Sequence, residues 1–89
     1  MKLPTIHLNG SHPEALRDGY AAAIYALNDA IAAVRRIDVN GRDYYPQGND
    51  AATIAQREHQ ARIRQLETVW RELTETGEHI QTEIDKRQR

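Results

Sequence analysis

From Ala51 to about Lys86 one heptad register holds, and no other feature of the chain restricts its fold so tightly. One seam position takes Ala52, His59, Leu66, Leu73 and Ile80; the other takes Gln56, Ile63, Trp70, Gly77 and Ile84. Arg57, Arg64 and Arg71 flank the seam on one side, with Glu58 and Glu72 on the other. Apolar residues repeating every 3.5 positions between charged flanks describe a long helix that packs along a partner helix. Asn49 or Asp50 is placed to cap its N-terminus.

The partner helix is written upstream. Tyr20, Ile24, Leu27, Ile31 and Val34 step by three and four residues and draw one apolar stripe. Alanines 21, 22, 23, 26, 30, 32 and 33 widen it. Ser11-His12-Pro13-Glu14 has the spacing of a capping box, with proline in the first turn. Arg35 and Arg36 suit the negative end of the helix dipole, and Asn40-Gly41 supplies a left-handed stop. The expected helix runs from His12 to Asp38. Before it, Met1–Gly10 reads as an extended arm carrying Leu3, Ile6 and Leu8 around Pro4. Residues 39–50 form the connecting loop, broken by Pro46 and Gly48.

These pieces predict one all-α domain, 1–89, built as an antiparallel helical hairpin: arm 1–10, first helix 12–38, loop 39–50, second helix 51–86. At 1.5 Å per residue the helices measure about 39 and 54 Å. The second should overhang near Ile80 and Ile84, where the arm or a second copy of the chain would cover it. Gly77 leaves a hole in the seam for the arm or another subunit to fill. Only 39% of the residues are hydrophobic and none is phenylalanine, a thin stock for a self-sufficient core. A homo-oligomer is therefore expected. Tyr25 shares an outer face with Asp18, Asp29 and Arg36 and points to an interface there.

Composition excludes several chemistries. Without cysteine there are no disulfides, thiolate nucleophiles or Cys-bound zinc. No apolar run approaches the roughly 18 residues of a membrane span, so a cytoplasmic location is expected. A net charge of −1 disfavours general binding to nucleic acid. The single serine sits in the capping box and no carboxylate pair stands in an apolar setting, so no enzyme is read here. His7 and His12 lack a third ligand, so neither metal nor cofactor is expected.

The charge is unevenly spread. From Arg35 to Arg64, arginines 35, 36, 42, 57, 62 and 64 outnumber acids 38, 43, 50 and 58, a balance of +2. From Gln65 to Asp85, acids 67, 72, 75, 78, 83 and 85 oppose Arg71 alone, a balance of −5. The hairpin places the basic stretch beside Tyr44 and Tyr45. Guanidinium forks grip phosphate oxygens two at a time and tyrosine rings stack on bases, a chemistry suited to a planar phosphorylated ligand. Candidate ligand-binding residues are therefore Arg36, Arg42, Tyr44, Tyr45, Arg57 and His59 at the loop end, and His7 and Asn9 at the arm's turn. A structural role competes at each: the tyrosines can plug the core, Glu58–Arg62 is an ordinary helical pair, and His59 can hydrogen-bond a facing tyrosine.

Ile6-His7-Leu8-Asn9-Gly10-Ser11, the run Asn40 to Gly48, and Glu58-His59 before the heptad helix resemble segments of small proteins of tailed phages and prophages. Small helical phage proteins include inhibitors of host machinery and oligomeric anti-defence proteins that sequester nucleotide signals without cleaving them. The resemblance thus implies a phage-encoded binding protein in the host cell. Its partner would be a nucleotide-type small molecule or, alternatively, a host protein held by the acidic helix face. The resemblance carries no site residues with it.

Overall fold

In the computed structural model, which describes residues 1–88, Pro13 decides where the first helix begins. A residue before proline is pushed out of the helical region, and His12 accordingly has φ −60° and ψ 121°. The cap position is therefore His12, one residue later than the capping box requires, and no side chain caps the helix. Ser11 stands too early to reach its N–H groups. Glu14 lies 3.4 Å from His12 Nδ1 instead.

The first helix, α1, spans Pro13–Arg35, and the second, α2, spans Ala51–Arg87. They pack antiparallel, with two short 3-10 turns at Gly41–Asp43 and Tyr45–Gln47 between them. Gly77 faces Tyr20 and Ile24 across the seam, and Arg17 reaches Gln81 at 3.5 Å. The molecule is a rod of 63 × 21 × 19 Å. The expected all-helical hairpin is present.

α1 stops three residues earlier than the sequence suggests. Its last bonds run from the Arg36 and Ile37 N–H groups, and the chain then extends through Val39, whose carbonyl accepts from Gln56 Nε2 at 3.2 Å. That bond ties the connector along the N-terminal part of α2. Asn40-Gly41 makes no left-handed stop: Asn40 Oδ1 accepts from the Arg42 N–H at 2.9 Å and opens the first 3-10 turn. The one positive φ among the described residues is at Gly48, 125°, where the chain swings into α2. Asp50 occupies the cap position there without a side-chain cap bond.

The overhang lies at the other end from the one expected. Pro13 and Glu14 border the same hollow as Ile84 and Arg87, so the distal ends of the helices are level. At 1.5 Å per residue α2 exceeds α1 by about 20 Å, and this excess lies at its N-terminal end under the connector. The arm runs along α2 as well. His79 Nε2 lies 2.8 Å from the Pro4 carbonyl, and Thr76 Oγ1 lies 3.8 Å from Met1 Sδ. Between α1 and arm, Ile80 is fully buried and Ile84 is 3% exposed. Leu8 takes no part, being 91% exposed.

The core is small. Ile31, Ile63, Ile80 and Ile84 are the buried apolar residues among those described, joined by Thr76 and His59. Gly77 is filled by α1 rather than by the arm. A Cβ there would sit 3.6 Å from Ile24 Cδ1 and 3.7 Å from Tyr20 Cβ, an ordinary packing distance. Gly77→Ala should therefore raise stability by about 0.5–1 kcal/mol, through helix propensity and a less free unfolded chain. Urea denaturation followed by circular dichroism would measure it. A loss of stability would mean that α1 packs closer to Gly77 than these distances allow.

Candidate ligand-binding site

The connector lies on α2 with a pocket on each side of Val39. One, of about 280 Å³, is lined by Tyr44, Gln47, Ile54, Glu58 and Arg62. The other, of about 300 Å³, is lined by Arg35, Ile37, Gln56, His59 and Gln60. Both exist because α1 ends early: a helix continuing to Asp38 would have carried Val39 away from Gln56. Their volumes stand at the small end of the range for ligand sites.

The side chains around the pockets differ in how committed they are. Glu58 and Arg62 pair at 3.6 Å, and Arg35 reaches Glu67 on α2 at 3.3 Å. Among the described residues Arg36, Arg42 and Arg57 have no carboxylate within 4.0 Å, and all three are exposed. Tyr45 is 75% exposed, while Tyr44 is half-buried against the first pocket. A protein that leaves three guanidinium forks and a ring face free at one end retains capacity for an anionic, planar ligand.

His59 is 8% exposed and its Nε2 has no hydrogen-bond partner. The expected bond to a facing tyrosine is not made. Trp70 Nε1 and Thr74 Oγ1 are the other buried side-chain polar atoms left without partners among the described residues. An unpartnered buried polar atom costs roughly 1–3 kcal/mol, so His59, on the wall of the second pocket, is an expensive residue to keep in a seam position.

The eight candidate residues do not converge within one chain. Arg36, Arg42, Tyr44, Tyr45, Arg57 and His59 belong to the connector end. His7 and Asn9 form the arm's turn, closed by the Gly10 N–H to the His7 carbonyl at 3.1 Å, beside the far end of α2. Twenty residues of α2 separate His59 from His79, about 30 Å of helix. His7 folds back over its own turn, where a Cβ on Gly10 would come within 3.0 Å of its Nε2. Arg62 and Arg35, on the pocket walls, were not singled out by the sequence; only the path of the connector marks them.

Among the described residues no three His, Asp or Glu side chains are grouped to hold a metal ion, and no helix is long and apolar enough to cross a membrane. No family model matches the chain, nor does any curated protein or solved structure.

Proposed function

We propose that this is a non-catalytic, phage-encoded binding protein that sequesters a nucleotide-type signalling ligand in a homo-oligomer in the host cytoplasm. The observation that carries the reading is the pair of exposed arginines Arg42 and Arg57, without carboxylate partners among the described residues, at the connector end that also holds Tyr44 and Tyr45. Bidentate guanidinium contacts would hold phosphate oxygens and a tyrosine ring would cover the base. Ser11, the one serine, lies at the opposite end of the rod and Glu58 is held by Arg62, so the groups at the pockets suit holding a ligand rather than cleaving it.

Native mass spectrometry of the purified protein tests this directly. The expected result is an oligomer carrying bound mass of a few hundred daltons, or one that takes up added cyclic or linear nucleotides. A protein that binds none of them, with no shift in melting temperature, would overturn the reading. A second reading is favoured by the exposed acids Glu72, Glu75, Glu78 and Asp85 on α2: a helix face that docks on a basic surface of a host protein. Retention of nucleotide binding after these four are changed to glutamine would separate the two.

A further inference from the structure

The outer face of α1 has nothing packed on it. Ala15, Gly19, Ala22, Ala26, Ala30 and Ala33 are all exposed and fall within about 80° of one another around the helix. Along one flank stand Asp18, Tyr25, Asp29 and Arg36, also exposed and within about 40° of one another. Tyr25 is 74% exposed and Ile37, just past the helix, 58%. The chain as a whole exposes 6726 Å². A compact protein of its mass would expose about 5300 Å², and the excess, roughly 1400 Å², is more than the ~800 Å² each partner contributes to a standard interface.

The order of residues along this face reads the same from both ends. With a two-fold axis at Ala26, Gly19 lies opposite Ala33 and Ala22 opposite Ala30, so small residues meet small residues along the middle of the face, and Ala15 lies opposite the exposed Ile37. Side chains on the same flank of an antiparallel pair face each other. Asp18 of one copy then lies two residues, about 3 Å along the axis, from the level of Arg36 of the other, and Tyr25 lies at the same offset from Asp29, within reach of these side chains. A parallel pairing would instead put this flank of the two copies on opposite sides of the interface, leaving Asp18 and Arg36 without each other.

We infer that α1 docks on α1 of a second copy, antiparallel about Ala26, with Asp18 paired to Arg36 of the other copy. The inference rests on the homo-oligomer in the proposed function, and not on the ligand. It also resolves the dispersal of the candidate residues. About the same axis, the turn that leads into Pro13 in one copy is level with Val39 and Asn40 of the other. His7 and Asn9 are thereby carried toward a connector they cannot reach in their own chain.

The chain has no cysteine, so single cysteines report the geometry cleanly. Under mild oxidation Ala26→Cys should yield a covalent dimer, because the axis brings the two Cα atoms together. Ala33→Cys should not, since antiparallel packing holds its copies about 21 Å apart, against a limit near 7 Å for a disulfide. Arg36→Asp should weaken dimerisation about tenfold, as both symmetry-related pairs turn repulsive. Combining it with Asp18→Arg should restore it. All these positions are exposed, so circular dichroism should show unchanged helicity. A chain that stays monomeric at about 100 µM, far above the Kd of a stable dimer, overturns the inference. So does equal cross-linking at both cysteines, or a dimer indifferent to the charge reversals. A dimer of this geometry that binds no nucleotide overturns only the ligand reading.

Discussion

Ile80→Ala is expected to cost about 2–5 kcal/mol, the usual range for emptying a fully buried aliphatic site. Ile80 is 0% exposed, at the place where α1 and the arm both meet α2. Few other buried groups can compensate, since Ile31, Ile63 and Ile84 are the rest of the buried apolar core among the described residues. A chain of this size belongs near the lower end of the 5–15 kcal/mol of ordinary domains. The substitution should therefore leave a large unfolded fraction at room temperature, visible as lost ellipticity and a collapsed thermal transition. Ile54→Ala, at a site 47% exposed, should cost less than about 1 kcal/mol and serves as the control. Equal effects at the two sites would show that the arm does not seal Ile80.

The second large effect concerns binding. Arg42→Ala combined with Tyr45→Ala should abolish the rise in melting temperature that a nucleotide produces in the parent protein. A ligand at a hundred times its Kd stabilises by about 2.7 kcal/mol. Losing one charge-assisted contact and one stacked ring removes about 3 kcal/mol or more of binding, on the order of a hundredfold in Kd. Both side chains are exposed and neither joins an ion pair among the described residues, so the unliganded protein should melt within about 0.5 kcal/mol of the parent. A ligand shift that survives the double substitution would place the site elsewhere on the rod. A stability loss instead would make these residues part of the fold.

The two predictions draw on different kinds of residue. Ile80 belongs to a periodic pattern, and patterns of this kind can be read without coordinates. His59, Ile63, Ile80 and Ile84 are seam residues in the heptad register and all are buried. The loop cluster is a matter of which residue types gather in one stretch, and its geometry was not legible. The arginines could be named from the sequence. That Arg35 is held by Glu67 and Arg62 by Glu58, leaving Arg36, Arg42 and Arg57 open, depends on rotamers and on the path of the connector.

The misplaced helix ends follow from the same distinction. A capping box and an Asn-Gly stop are local signals, each worth roughly 1 kcal/mol. At Ser11 a stronger local rule prevailed, because Pro13 forces the residue before it to be extended and so moves the cap to His12. At Arg36 the competitor was tertiary. Leaving the helix early lets Val39 bond to Gln56 and lets Tyr44 pack over the uncovered start of α2. Burying that end of α2 outweighs one more helical turn. The overhang lies under the connector, and the arm is free to close over Thr76 and Ile80.

By itself the sequence determined that this chain makes two amphipathic helices joined by a short break, which face is apolar, and where the charges concentrate. Periodicity decides these, because a residue's place around a helix depends on its number alone. Only the tertiary structure decided where α1 ends, which end of α2 is left over, what lies on it, and that the arm's turn and the arginine cluster stand at opposite ends of the rod. Those depend on contacts between residues tens of positions apart. Such contacts compete with local signals of similar energy, and no local pattern records the outcome.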